Sequence, residues 1–153
     1  MKEVLTLPND LNRMHELVEF ATNFAVRHPV PSRELYRLLV ILDELFSNVV
    51  RYGYPQEACG SITFYLSCNG DQLEIVVEDD GCAFDPLAVP EPDVDRPLDD
   101  RPVGGLGIHL VRSLVDNVRY SRRKGANRLV LTRRLSPPSG REKRRRGLDN
   151  TAP

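Results

Sequence analysis

Apolar residues recur at intervals of three and four in two stretches near the start of the chain. This spacing lines up apolar side chains on one face of an α-helix. The first predicted helix is capped by Asn9 or Asp10, and its apolar positions are Leu11, Met14, Leu17, Val18, Ala21, Phe24 and Ala25. The segment "RHPVPS" breaks that helix. Ser32 is expected to cap a second helix, which ends near residues 51–55 and has as its core face Leu35, Leu38, Leu39, Leu42, Leu45, Phe46 and Val49.

Elsewhere apolar and polar residues alternate, a pattern typical of strands with one buried face. The segment "EVLTLP" (3–8) predicts a short edge strand. The segments "SITFYLS" (61–67) and "QLEIVVE" (72–78) flank Asn69-Gly70, a dipeptide that favours a tight hairpin. A closing hairpin is predicted over residues 117–135, with its turn at Lys124-Gly125-Ala126.

Residues 85–103 have no periodicity and contain five prolines and six acidic residues. A loop this long in a compact domain is typical of a functional lid or a disordered insert. The glycine-rich run that follows opens a third predicted helix, with Ile108, Val111, Leu114 and Val115 directed inward. The order β-α-α-β-β-α-β-β predicts an α+β two-layer sandwich, in which a mostly antiparallel, mixed sheet carries three helices on one face.

Composition and charge narrow the class of protein. At 153 residues the chain is predicted to form one domain over residues 1–135. Residues 136–153 have the composition of a disordered basic tail, in which five basic and two acidic side chains give +3. The net charge of the whole chain is −1, so the body carries about −4, and this disfavours direct nucleic-acid binding.

The cysteines and the hydropathy indicate the compartment. Cys59, Cys68 and Cys82 form no Cys-x-x-Cys pair and are interpreted as reduced thiols rather than metal ligands. No apolar stretch is long enough for a membrane span, and the N-terminal segment lacks the pattern of a signal peptide. We therefore expect a cytoplasmic protein that does not bind membranes.

Glu44 and Asn48 are four residues apart in the second predicted helix, so their side chains lie one turn apart on one face. A solvated helix face is one interpretation. However, Val40 and Ile41 share this side, which is typical of a helix that is covered on two sides. Within a pocket, the Asn48 carbonyl oxygen could bind magnesium and Glu44 could accept a proton from a nucleophile.

The second strand of the first hairpin runs into "EDDG". An aspartate at a strand end can accept a hydrogen bond from an exocyclic amine such as that of adenine, and Gly81 would let a planar base approach the backbone. Asp79 and Asp80 are both candidates for this role. An ordinary Asp-Gly turn is the alternative interpretation.

The glycine run at 104–107 could seat phosphate at a helix N-terminus. The dinucleotide motif Gly-x-Gly-x-x-Gly does not fit, because Leu110 stands at its third glycine. The P-loop motif does not fit either, because His109 and Leu110 stand where Lys-Ser would be required. A lid followed by a glycine-lined helix start is the remaining interpretation.

Three segments, taken in order, resemble the sequence boxes of one family. "DELFSNVVRYGY" (43–54), "VEDDGCAFDP" (77–86) and "RPVGGLGIHLVRSLVD" (101–116) are similar to the N box, the Asp-x-Gly box and the glycine-rich box of the Bergerat-fold (GHKL, histidine-kinase-like) ATPases. Within that superfamily, the chain resembles the bacterial anti-sigma-factor serine/threonine kinases of the RsbW and SpoIIAB type. The resemblance spans roughly residues 3–135 and implies binding of ATP and Mg²⁺.

Motif positions imply a role for each site residue. By resemblance, Glu44 is the catalytic general base, Asn48 is the magnesium ligand and Asp79 contacts the adenine amino group. Further nucleotide-binding positions are Gly81, Ala83, Gly104, Gly105, Leu106, Gly107 and Ile108. Ala83 stands where the family has a glycine. The family's Gly-x-Thr corresponds to "GAN" (125–127), with Ala126 at or near the threonine position.

The resemblance implies a kinase that phosphorylates a STAS-type anti-sigma-factor antagonist and also binds a sigma factor or similar regulator. A homodimer is a further expectation from the resemblance. A sequestering module that binds ATP without catalysis, and a stand-alone histidine-kinase-like ATPase domain, are the alternatives. Arg96 and Arg101 in the loop are candidates to reach the γ-phosphate. Arg51, seven residues after Glu44, could pair with Glu44 or contact the substrate.

Overall fold

The computed structural model describes residues 1–56, 58–88 and 105–135. In this part of the chain it has five strands and three α-helices, with a short 3-10 turn before the first helix. The elements are β1 (Lys2–Pro8), α1 (Met14–Arg27), α2 (Ser32–Tyr52), β2 (Ser61–Asn69), β3 (Gln72–Asp79), α3 (Gly105–Leu114), β4 (Asn117–Arg123) and β5 (Ala126–Arg134). The α+β prediction is confirmed.

The strands form one sheet in the order β1-β2-β3-β5-β4. All four pairings are antiparallel, so the sheet has no parallel pair among the described strands. Strand β5 lies between β3 and β4, because the hairpin of β4 and β5 pairs through β5 with the hairpin of β2 and β3. The turn of that hairpin has positive φ at Lys124 (51°) and Gly125 (83°), as a tight two-residue turn requires.

One face of the sheet supports the core. Alternate residues of β2 and β3 direct their side chains toward the helices and are buried: Ile62, Phe64, Leu66, Leu73, Ile75 and Val77. Phe46 of α2 meets Phe64 edge to face, with 5.9 Å between the ring centroids. The same alternation carries the end of β3 to the helix side of the sheet, and this places Asp79 under the helical layer.

The helices differ in detail from the sequence expectation. Pro31, not Ser32, takes the cap position of α2, because Pro31 is extended (φ −62°, ψ 150°) and its carbonyl accepts from the amides of Glu34 and Leu35. Ile41 is buried together with Leu38, Leu42, Leu45 and Phe46. These positions lie on one face of the helix, so the core stripe includes Ile41, and α2 packs against both α1 and α3.

The thiols of Cys59, Cys68 and Cys82 are all free. None of the described helices combines the length and hydrophobicity needed to cross a bilayer. The expectations for the tail and for most of the acidic loop concern residues outside the described part.

Candidate active site

The start of α3 lies directly against Glu44 and Asn48 of α2. A Cβ atom placed on Gly107 would be 2.2 Å from Oε2 of Glu44 and 3.2 Å from Nδ2 of Asn48. Such distances are shorter than normal van der Waals contact, so only glycine fits here without displacing these side chains. The tertiary structure thereby brings two of the predicted site residues together with the third glycine of the run.

The amide of Asn48 has an unsatisfied group. Its Nδ2 is buried and has no hydrogen-bond partner among the described residues. A buried polar atom without a partner costs about 1–3 kcal/mol. Rotation of the amide by 180° would put its oxygen in the same place, so this position can present either a donor or an acceptor. A polar ligand between α2 and α3 would satisfy it.

The protein side chains around this position suit magnesium better than zinc. The described residues contain no group of three or more histidine, cysteine, aspartate or glutamate side chains arranged to hold a metal. Magnesium is commonly held by one or two protein oxygens together with phosphate oxygens and water. Asn48 can supply one such oxygen, so the residues present fit a magnesium ion that arrives with a nucleotide.

Asp79 is a second polar group buried in the same layer, at 8% exposure. Its Oδ1 accepts hydrogen bonds from the backbone N–H of Gly81 at 3.0 Å and from Nδ2 of Asn127 at 2.8 Å. Its Oδ2 accepts none from the described residues. Burial raises the pKa of Asp79, while the bonds from Asn127 and Gly81 act in the opposite direction. One carboxylate oxygen is therefore left for a ligand.

The side chain of Asp80 binds different partners from that of Asp79 and has a structural role. Its Oδ1 accepts from the backbone N–H of Ser61 at 2.9 Å and from the hydroxyl of Tyr54 at 2.8 Å. These bonds hold the pKa of Asp80 below its usual range. Burial, followed by the bond to Asp80, raises the pKa of Tyr54. The pleat thus separates two adjacent aspartates that residue type alone leaves as alternatives.

The end of α2 is joined to the Asp-Gly turn (79–82). The backbone N–H of Cys82 donates to the carbonyl of Gly53 at 2.7 Å. A Cβ atom on Gly81 would lie 2.4 Å from that same carbonyl oxygen. Gly81 is therefore required for the close approach of two backbone segments, one from each motif. This approach fixes Asp79 relative to α2.

Asn127 is a direct neighbour of Asp79 that the sequence reasoning missed. It is 6% exposed and lies directly opposite Asp79, its neighbour across the β3–β5 pairing. The sequence placed Ala126 at or near the threonine position of Gly-x-Thr, but the third position of "GAN" is Asn127, and Ala126 belongs to the other face of β5. The period of two along "ANRLVL" was the available signal, because it assigns Asn127, Leu129 and Leu131 to one face.

The remaining predicted site residues differ in burial and in position. Gly105 is the first described residue of α3, and Leu106 follows it in the helix. Ile108 is buried in the core, so only its backbone can face a ligand. Ala83 is exposed just after the Asp-Gly turn. Gly104, Arg96 and Arg101 lie outside the described residues.

Arg51, the candidate partner of Glu44, lies at the end of α2 with an exposed side chain. Among the ion pairs of the described residues, none joins Arg51 to Glu44. The carboxylate of Glu44 is therefore not held by that arginine.

Comparison with known proteins agrees with this arrangement. The family model described as "Histidine kinase-like ATPase domain" matches residues 7–133. The chain therefore belongs to the histidine kinase-like ATPase domain family.

Individual relatives have names that state an activity. The serine/threonine-protein kinase BtrW of Bordetella bronchiseptica is 30% identical over 117 residues, which is 76% of this chain and 82% of BtrW. The serine-protein kinase RsbW of Bacillus cereus is 30% identical over 95 residues, covering 60% of this chain and 59% of RsbW. This chain thus matches somewhat more than half the length of that RsbW.

A solved structure shows the same fold. The crystal structure of the RsbU and RsbW domains of a Mycobacterium tuberculosis protein superposes with a TM-score of 0.65 at 18% identity. The match covers 91% of this chain and 34% of that chain. At this identity the likeness supports the fold alone.

Proposed function

We propose that this protein is an ATP-dependent serine/threonine protein kinase that acts as an anti-sigma, partner-switching regulator. Its substrate would be a STAS-type anti-sigma-factor antagonist. BtrW and RsbW are named as serine/threonine-protein and serine-protein kinases. The observation that carries the proposal is the contact of Gly107 with Glu44 and Asn48, which brings together a carboxylate, a side-chain amide and the start of a helix.

Glu44 supplies the proton acceptor. A serine or threonine hydroxyl of the partner protein gives its proton to the Glu44 carboxylate, and its oxygen bonds to the γ-phosphorus of ATP. The bond from that phosphorus to the β,γ-bridging oxygen breaks, and ADP leaves. Catalysis of this kind rests mainly on positioning and on charge stabilisation. A module that only held a nucleotide would have no need of a carboxylate one turn from Asn48.

Magnesium, when bound with ATP, offsets the charge of the phosphates during transfer. Asn48 is the side chain that would hold it, through the amide group whose Nδ2 is buried without a partner. The backbone of α3 from Gly105 to Ile108, together with Gly104, would receive the phosphates. Free N–H groups and the positive end of the helix dipole favour anions at such a place.

The adenine would lie beside the Asp-Gly turn. Oδ2 of Asp79 accepts a hydrogen bond from the 6-amino group, and Gly81 and Ala83 line the approach to the base. Residues 1–135 would form this ATP-binding domain, and residues 136–153 a disordered basic tail. A sigma factor as second partner, a homodimer, a cytoplasmic location and the absence of nucleic-acid and membrane binding complete the proposal.

Label transfer from γ-labelled ATP tests the proposal directly. The protein would be incubated with magnesium and a purified STAS-type antagonist, with Glu44→Gln as the test variant. Asp43→Asn is the matched control, because Asp43 precedes Glu44 in α2 and is exposed. We expect transfer to serine or threonine with wild type and with Asp43→Asn, and loss of transfer with Glu44→Gln. Tight ATP binding without transfer by the wild type would favour the sequestering module instead.

A further inference from the structure

The side-chain amide of Asn127 is held at both ends. Its Oδ1 accepts from the hydroxyl of Tyr120 at 2.7 Å and from Nη1 of Arg122 at 2.8 Å. Its Nδ2 donates to Oδ1 of Asp79 and to the carbonyl of Cys82, both at 2.8 Å. Tyr120 could equally accept a bond, but a guanidinium can only donate. The carbonyl of Cys82 can only accept, so Arg122 and Cys82 together determine which end of the amide faces Asp79.

The fixed amide determines what Asp79 can do. An N–H that points at Oδ1 requires that oxygen to be an acceptor, and the N–H of Gly81 makes the same demand. These donors favour the carboxylate. Burial favours the neutral acid and raises the pKa of Asp79, and the neighbouring charge of Asp80 adds to this effect. The positive charge of Arg122 lowers the pKa, and the hydroxyl of Tyr54 also lies close by.

The charged and neutral forms of Asp79 would bind different purine bases. A carboxylate accepts from a 6-amino group and repels a 6-oxo group, because both partners would then be acceptors. A neutral acid can donate to a 6-oxo oxygen. The position of one proton on Asp79 thus separates two classes of purine.

We propose that Arg122 and Asn127 are positioning residues that hold Asp79 as an acceptor and so make the site select 6-amino over 6-oxo purine nucleotides. This inference rests on the proposed ATP site. The hydrogen bonds pass from Arg122 on β4 through Asn127 on β5 to Asp79 on β3, and these strands are neighbours in the sheet. Arg122 also donates to the carbonyl of Gly81 at 3.1 Å, which connects β4 to the Asp-Gly turn.

Arg122 is a suitable residue to change, because it is exposed and makes no contribution to the buried core. Arg122→Gln removes the charge and the obligate donor. Arg122→Lys keeps both, because a single nitrogen, Nη1, makes both of the bonds given above. Asn127→Leu removes the amide at similar volume. The exposed Arg119 of the same strand provides the matched control as Arg119→Gln.

Binding of ATP and of inosine triphosphate, whose base is 6-oxo, would be measured by calorimetry for each variant. We expect the ratio of ATP affinity to inosine triphosphate affinity to fall about tenfold in Arg122→Gln and Asn127→Leu, the effect of one charge-assisted hydrogen bond. Arg122→Lys should retain most of the ratio, and Arg119→Gln all of it.

The pH profile of ATP binding supplies a second readout. Affinity should fall as the pH drops through the pKa of Asp79, and Arg122→Gln should move that midpoint to higher pH. If Arg122→Gln weakens both nucleotides equally and leaves the midpoint in place, the residue has a structural role only and the inference is overturned. If the wild type binds neither nucleotide, it is the proposed function that fails. Thermal unfolding of each variant monitors the fold.

Discussion

Gly107 of α3 lies so close to Glu44 of α2 that a single added Cβ atom would be 2.2 Å from the carboxylate oxygen Oε2. The two residues come from different sequence motifs. Their contact means that the start of α3 limits where the Glu44 carboxylate can lie. The added Cβ atom would also lie 3.2 Å from Nδ2 of Asn48, a buried atom that has no hydrogen-bond partner among the described residues.

Gly107→Ala should separate activity from stability. Alanine is favoured over glycine within a helix by about 0.5–1 kcal/mol, so the thermal midpoint should be unchanged or higher. The added methyl group forces Glu44 aside, and displacement of a catalytic group by about 1 Å can lower the rate about a hundredfold. Phosphotransfer rates and thermal unfolding would be measured together. His109→Ala, an exposed change on the same helix, should leave both quantities unaltered.

Asp79→Asn should abolish tight ATP binding without unfolding the protein. The asparagine oxygen can still accept from Gly81 and Asn127. Its NH2 group, which can only donate, would then stand in the place of Oδ2 and face the 6-amino group, which is also a donor. The pKa of Asp79 is raised in the fold, so its stabilising contribution is present below the unfolded-state pKa and lost as pH rises through the folded-state value. Near neutral pH the variant should therefore be at least as stable as the wild type.

Asp80→Asn should show the opposite behaviour. The pKa of Asp80 is lowered by the bonds from Ser61 and Tyr54, so its contribution is present above the unfolded-state pKa and lost as pH falls through the folded-state value. Urea unfolding should show a loss of stability near neutral pH that shrinks in acid. Similar pH profiles for the two variants would contradict the assignment of Asp79 to the site and Asp80 to the scaffold.

Gly81→Ala should destabilise the junction between α2 and the Asp-Gly turn. Its methyl group would meet the Gly53 carbonyl oxygen at 2.4 Å, and backbone cannot move aside as a flexible side chain can. Overpacking of this kind typically costs about 1–3 kcal/mol in the free energy of unfolding, which urea titration would measure. Cys82→Ala keeps the backbone N–H that donates to Gly53 and should have little effect. Equal stability of both variants would show that the turn can shift freely.

Arg133→Leu should cost far more stability than the same change at Arg134. Nε of Arg133 donates to the buried carboxylate of Glu34 at 2.8 Å, and its Nη1 donates to the carbonyl of Leu114 at 2.9 Å. Glu34 also pairs with Arg37, so Arg133→Leu removes one of its partners and should cost about 1.5–3 kcal/mol, the range of a hydrogen bond to a charged group. Arg134 is 81% exposed and pairs with Asp71 at 3.4 Å, so its loss should be nearly neutral. Comparable losses of thermal stability would contradict this difference.

The sequence by itself determined the elements and most of the candidate chemistry. Helix and strand periods are local properties, because they follow from how successive side chains point along a helix or a strand. The three motifs likewise lie within continuous segments, so Glu44, Asn48 and Asp79 could be read without a structure. The cap of α2 was misplaced by one residue, since Pro31 and Ser32 both suit a helix start.

Only the tertiary structure decided which of these residues meet. The insertion of β5 between β3 and β4 places Asn127 against Asp79, and no local pattern encodes the order of strands in a sheet. The contact of Gly107 with Glu44 depends in the same way on the packing of α3 against α2. Such neighbours are separated widely in sequence, and their positions follow from burying all apolar faces in one core, which is a property of the whole chain.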